Sequence, residues 1–163
     1  AASPIPRVAI VFGRLIACAG ISAVQVVYFL ALGLVFGAHI EGGVLGAIVT
    51  LAIGIVAGVA FGALGVTLAL RSRSASTVQG IFPLVFVVLF MSSAFFPRTL
   101  LESPVDTIAE YNPLSYISNG MRGPIIGPVQ ATPVLEGLAA GAGVALVAIA
   151  LAVFSLRGRL REA

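Results

Sequence analysis

The stretch Met91-Ser92-Ser93-Ala94-Phe95-Phe96-Pro97 closes a strongly apolar run, and the residues after it do not start another run of the same kind. A short amphipathic segment leads to Asn112-Pro113-Leu114-Ser115-Tyr116 and Arg122, and the next long apolar run begins only at about residue 134. A membrane span that stops at a proline and hands over to small capped helices restricts the architectures open to the chain. Ser103-Pro104-Val105-Asp106 reads as N-cap, first-turn proline and returning carboxylate, with Leu101, Val105 and Ile108 as the apolar face of a helix running to Glu110. Asn112-Pro113 repeats the device and opens a second helix, in which Leu114, Ile117 and Met121 share a face and Gly123-Pro124 is the expected stop. Both are too short to cross a bilayer. Residues 98–123 therefore form either a re-entrant or interfacial hairpin over the outer end of a helical bundle, or an ordinary extracellular loop resting on the surface.

Working outward, the composition places the rest of the chain in lipid. Of 163 residues, 60% are hydrophobic and 9% charged, where a soluble domain carries about one quarter charged residues. Uninterrupted apolar runs cover residues 15–38, 44–70, 78–96 and 134–156, each near or above the roughly 20 residues that a spanning helix needs. The expected fold is all-α and polytopic: a single transmembrane domain over 1–163 with four transmembrane helices and a short outer hairpin before the last. The first run is too long for the core of a cleavable signal peptide. Arg7 and Arg14 precede the first run, Arg71 and Arg73 separate the second from the third, and Arg157, Arg159 and Arg161 follow the fourth. The excess of arginine at these three places puts both termini on the cytoplasmic side, and the His39-Ile40-Glu41-Gly42-Gly43 turn and the long connection outside.

Several function classes are excluded on chemistry. All nine basic residues are arginine, so the chain has no lysine to grip the phosphates of a P-loop. The arginines are scattered singly between apolar runs, which is membrane topology rather than a nucleic-acid surface. Cys18 is the only cysteine and His39 the only histidine, so neither an internal disulfide nor a metal centre is expected. No run has an ionisable residue near its middle, which argues against ion-coupled carriage. Glu136 falls in the first turn of the last expected span, where the helix dipole favours a carboxylate. No nucleophile, base and acid set is present, and enzymatic chemistry is not supported.

The remaining polar and small residues each carry two readings. Gly46, Thr50, Gly54, Gly58 and Gly62 recur every four residues, and Gly137, Gly141 and Ala145 form a weaker series. Such stripes let helix backbones approach closely, inside one subunit or between two. Gln25 and Tyr28 share a face of the first span and either line a substrate path or serve as interhelical hydrogen-bonding groups. Thr50, Thr67, Ser92 and Ser93 can bond to their own helix backbone and so carry little weight by themselves. Pro83 lies inside the third run as a kink or hinge. Phe95 and Phe96 are either apolar closure at the outer mouth or belt anchors.

Taken together, Phe82-Pro83-Leu84, the Met91 to Pro97 stretch, and Asn112-Pro113-Leu114-Ser115-Tyr116 with Arg122 resemble the signature of ABC-2 type transporter permeases, daunorubicin-resistance permeases in particular. Pro4-Ile5-Pro6-Arg7 with Gly13-Arg14 resembles the cytoplasmic segment after that family's second span. The likeness covers almost the whole chain. It implies that the four runs are spans three to six of a six-span permease, and that the chain is a fragment, since it starts at Ala1 and lacks an amphipathic N-terminal helix and two spans. It further implies a multi-pass plasma-membrane protein that works as a homo- or heterodimer of permease units. A separate ATP-binding cassette ATPase would drive it, using ATP and Mg that this chain does not itself bind. Residues 1–14 become the coupling segment toward that ATPase, with Pro4, Arg7 and Arg14 as contact candidates; the plainer reading is a positively charged anchoring linker. The implied function is an exporter permease for an amphipathic drug, a lipid or a polymer precursor. Its outer gate would comprise Phe95, Phe96, Pro97, Asn112, Pro113, Tyr116 and Arg122, with Gln25 and Tyr28 on the path. The alternative is a non-transporting membrane scaffold or assembly subunit that binds partner helices through its glycine seam.

Overall fold

The computed structural model describes residues 7–72, 75–96 and 102–161. These form six α-helices and, among the described residues, no strand: α1 (Arg7–Val35), α2 (Gly43–Arg71), α3 (Ala75–Phe90), α4 (Val105–Tyr111), α5 (Pro113–Ile126) and α6 (Ala131–Arg161). Among the described residues three segments, Val11–Val35, Gly43–Arg71 and Ala131–Ser155, are long and apolar enough to cross a membrane.

The run expected over 78–96 takes a different form. Its helix, α3, has 16 residues and ends at Phe90, and residues 91–96 are a turn. The serines cause the stop. Ser92 Oγ donates to the Leu89 carbonyl at 2.6 Å and accepts the Ala94 N–H at 3.2 Å, so a side chain takes over bonds that would have continued the helix. At 1.5 Å per residue the 16 residues of α3 extend about 24 Å, short of a hydrocarbon core of about 30 Å. Pro83 lies within α3, exposed.

At the centre stands α2, with α1, α5 and α6 all packed on it. The four-residue stripe is what lets them approach. A methyl group at Gly54 would lie 2.5 Å from Val26 Cγ2 and one at Gly62 would lie 2.5 Å from Cys18 Sγ, while one at Gly58 would overlap the Ser22 hydroxyl. The stripe serves packing inside the chain: α1 meets it at Gly54, Gly58 and Gly62, and α5 at Gly46 and Thr50. Gly137 and Gly141 serve α6 similarly, against the Tyr116 carbonyl and Val56. One apolar cluster joins Val11 and Leu15 of α1 to Ala63, Ala148 and Ala152; another gathers around Ile53, Leu114 and Ile117. Thr67 Oγ1 sits 2.9 Å from its own-helix Ala63 carbonyl and 3.0 Å from the Ala148 carbonyl of α6.

The two connections expected on one side do meet. The Glu41 and Gly42 N–H groups donate to the carbonyls of Ile125 and Pro124, each at 3.0 Å, joining the α1–α2 loop to the last turn of α5. Arg71 Nε donates to Ser155 Oγ at 3.1 Å, linking the far ends of α2 and α6.

Three local expectations are corrected. Ser103 does not cap α4; Pro104 takes that position, and the Glu102 carbonyl accepts the Val105 and Asp106 N–H groups at 2.9 and 3.3 Å, supplying the partner the hydroxyl would have given. Gly123-Pro124 does not stop α5, which runs on to Ile126 because Pro124 is buried against Gly42 and Gly46 and the Gly127 N–H reaches the Gly123 carbonyl at 3.0 Å. Glu136 lies exposed one turn further into α6 than expected, since that helix already begins at Ala131.

Candidate functional site

Asn112 organises the junction of α3, α4 and α5. Its backbone is extended, and its Oδ1 accepts the Leu114 N–H at 3.0 Å, the cap bond expected with Pro113 at the first helical position. Its Nδ2 donates to the Val88 carbonyl at 2.8 Å, near the end of α3. One buried amide thus starts α5 and satisfies a carbonyl that α3 leaves free where it stops.

Beside it lies a second set of bonds. Ser93, 1% exposed, donates its N–H to Ser115 Oγ at 3.0 Å, and its hydroxyl lies 3.4 Å from both the Ser115 carbonyl and Asn119 Oδ1. Arg122 Nη2 donates to the carbonyls of Ser93 at 3.2 Å and Ala94 at 2.6 Å. Among the described residues every buried side-chain nitrogen and oxygen has a partner, as a polar cluster in an apolar bundle requires.

The position of α5 sets where this cluster sits. Ile117 packs near Gly141, Gly120 meets Ile53, Met121 meets Gly54, and Pro124 meets Gly46 and Gly42. The helix therefore lies alongside α2 and antiparallel to it, rather than across its end. Thr50 Oγ1 donates to the Met121 carbonyl at 3.2 Å, a level about 10 Å along α2 from its first residue at 1.5 Å per residue. Arg122, half-buried, is the next residue.

Around the cluster the surface is apolar. Phe95 stacks on Phe90 with centroids 5.0 Å apart and planes 21° apart, and Phe95 and Phe96 are each about half exposed. An open groove of about 450 Å³ runs between α3 and α4, lined by Val88, Met91, Thr107, Ile108, Tyr111, Asn112 and Pro113.

Of the residues singled out from sequence, Asn112, Pro113, Arg122, Phe95 and Phe96 come together here. Tyr116 lies half-buried on α5 with its carbonyl against Gly137. Pro97 and Pro4 fall outside the described residues, as does the side chain of Arg7, whose backbone begins α1. Arg14 is exposed on α1. Gln25 and Tyr28 are also exposed on α1, away from the junction set, and the Tyr28 ring meets Phe29 edge-on at 5.5 Å. Sequence alone assigns no site role to Ser93, Ser115 or Asn119. Ser92 does bond within its own helix end as expected, whereas Ser93 reaches across to α5, a partner 22 residues away that periodicity cannot reveal.

Long apolar helices, two of them packed against the short helix α5, define a multi-pass membrane protein. The chain belongs to the ABC-2 type transporter family, whose model matches residues 1–126, from α1 to the last residue of α5. Two relatives, each a probable doxorubicin resistance ABC transporter permease protein DrrC, come from Mycobacterium tuberculosis strains CDC 1551 / Oshkosh and ATCC 25618 / H37Rv; both are 24% identical over 151 residues, 92% of this chain. The chain spans about half the length of these curated relatives, 55% in each case. No solved structure gives a significant match.

Proposed function

We propose that this chain is the greater part of the transmembrane permease of an ATP-binding cassette exporter. The observation that carries the reading is the family match across residues 1–126, which contains the whole α3–α5 junction; the drug-resistance permeases among its relatives agree with it. In this reading α3 and the turn after it complete a fourth crossing, so α1, α2, α3 and α6 are spans three to six of a six-span unit. Both termini face the cytoplasm and the junction faces outward across the plasma membrane. The insertion of α5 beside α2 favours the re-entrant form of the 98–123 hairpin over a surface loop.

The mechanism is built from these parts. A second permease unit, identical or related, completes the path, and paired ATPase subunits hydrolyse ATP with Mg. Their closure pushes on the coupling segment of residues 1–14, where Pro4, Arg7 and Arg14 make contact, and the push travels along α1 into α2 through the glycine seam. At the outer end the turn bearing Phe95 and Phe96, with Pro97, Asn112, Pro113, Tyr116 and Arg122, acts as the gate. Substrates are amphipathic drugs, lipids or polymer precursors, since the path needs no fixed charge. The scaffold alternative is the less favoured, because α1 and α5 of the same chain occupy the stripe on which it rested.

The test uses the full-length protein reconstituted with and without its ATPase. ATP-dependent export of an amphipathic dye, abolished when Arg7 and Arg14 are replaced, is the expected result. Export by the permease in the absence of any ATPase would end the proposal.

A further inference from the structure

We propose that Arg122 is the positioning residue of the outer gate: it clamps the turn 91–96 onto α5, so that Phe95 and Phe96 travel with α5 as one body. The inference rests on the exporter reading and deepens it. Two kinds of contact hold α5, and they differ in what they permit.

Toward the turn the contacts are directional. Arg122 Nη2 grips two successive carbonyls, those of Ser93 and Ala94, and the Ser93 N–H is returned to Ser115 Oγ on the same helix. A cationic donor makes a shorter and stronger bond than a neutral one, and the 2.6 Å separation to the Ala94 carbonyl fits that class. Breaking it inside an apolar bundle would leave a half-buried guanidinium unsatisfied, so this grip is the last to open.

Toward α2 and α6 the contacts are mostly apolar and non-directional: Ile53, Ile117 and Met121 pack together beside close backbone approaches. Gly46, Gly54, Gly120 and Gly137 set the approach, and the hydrogen bonds on this side come from neutral donors: Thr50 Oγ1 to the Met121 carbonyl, and the Glu41 and Gly42 N–H groups to the Ile125 and Pro124 carbonyls. Smooth, small-residue surfaces accommodate the sliding of packed helices, whereas a directional clamp does not. A force applied to α5 therefore breaks these neutral hydrogen bonds before the charge-assisted clamp, shears α5 along the apolar surfaces and carries the turn with it. The stacking of Phe95 on Phe90 of α3 and the bond from Asn112 Nδ2 to the Val88 carbonyl are contacts that this movement must break. Arg122 thus determines whether the aromatic pair follows α5 or stays with α3.

The experiment is hydrogen exchange by mass spectrometry on the full-length permease with its ATPase in lipid nanodiscs, paired with dye export. Arg122→Met should speed exchange of the 91–96 amides by about tenfold or more, the loss expected for a hydrogen bond to a charged group. Exchange in α5 and α2 should stay as in the wild type, maximal export should fall, and Arg122→Lys should restore most of both. Ser115→Ala, which removes only the acceptor of the Ser93 N–H, should move the turn the same way by less, and it decides the matter if Arg122→Met fails to insert. Unchanged exchange at 91–96 in both variants, equal acceleration throughout α5, or no rescue by lysine would overturn the clamp. A wild-type complex that exports nothing would sink the exporter reading while leaving the exchange result to judge the clamp, so the two failures are distinguishable.

Discussion

The hydroxyl of Thr50 donates to the backbone carbonyl of Met121 across 3.2 Å, and this bond joins the central helix α2 to α5. A threonine inside a spanning helix usually returns its proton to its own backbone. Here Gly46 and Gly54 on either side bring α5 close enough that the carbonyl of another helix is the acceptor. Thr50→Val keeps the shape and removes the donor, leaving the Met121 carbonyl one partner short. The expected loss is about 1 kcal/mol, in the range of interhelical hydrogen bonds measured in membranes. Thermal unfolding in detergent should show a lower midpoint for Thr50→Val, and Thr50→Ser should stay at the wild-type value.

The contact between Gly58 and Ser22 makes a sharper prediction. A methyl added at Gly58 would overlap the Ser22 hydroxyl, whereas one added at Gly65, further along the same helix, meets nothing within 4 Å. Gly58→Ala must push α1 away from α2 and should destabilise by about 1–3 kcal/mol, the usual range for overpacking. Gly65→Ala should be neutral or stabilising by up to about 1 kcal/mol, since it relieves only the conformational freedom of glycine. Equal unfolding midpoints for the two variants would show that the seam is not close-packed.

Much of this was legible in the sequence because the signals are periodic or local. The three long helices follow from apolar length, the stripe from its four-residue repeat, and the start of α5 from Asn112-Pro113, a cap and a first-turn proline in adjacent positions. The features that escaped were set by tertiary contact. Ser93 and Ser115 lie 22 residues apart with no shared period, so nothing in their spacing joins them. Sequence leaves the 98–123 segment open between a re-entrant or interfacial hairpin and a surface loop; that α5 lies alongside α2 is set by glycines on both helices, which admit it. The extension of α5 beyond Gly123-Pro124 has the same origin: burial of the Pro124 ring outweighs the local preference to stop.

Asn112 separates two roles in one side chain. Asn112→Asp keeps an oxygen for the Leu114 N–H and loses the Nδ2 donor to the Val88 carbonyl, whereas Asn112→Ala loses both. The alanine variant should destabilise α5 by about 0.5–2 kcal/mol through the cap alone, with a further loss from the stranded carbonyl. Amide exchange in the first turn of α5 should accelerate in Asn112→Ala and not in Asn112→Asp, while the last turn of α3 loosens in both. Acceleration confined to α5 in both variants would mean that the bridge to Val88 carries no load.

Gln25 tests the path. It is exposed on α1, so removing its amide disturbs no packing within the chain. Gln25→Leu should leave the unfolding midpoint unchanged and lower the export of polar amphipathic dyes relative to apolar ones, as expected where a lone amide lines a route through hydrocarbon. Unaltered preference across a dye series would remove Gln25, and with it Tyr28, from the path.

The topology itself can be read with an impermeant thiol reagent on whole cells, using the full-length protein in a Cys18→Ala background. Because the Glu41 N–H is bonded to the Ile125 carbonyl, the α1–α2 loop and the end of α5 share one end of the bundle. Ser72 follows the opposite end of α2, a helix of 29 residues, about 43 Å away at 1.5 Å per residue and so across the bilayer. His39→Cys in the loop should therefore label from outside, and Ser72→Cys should label only after the membrane is permeabilised. Labelling of Ser72→Cys alone would invert the orientation and move the Phe95 and Phe96 turn to the cytoplasmic face, where it would close the entry to the path instead of the exit.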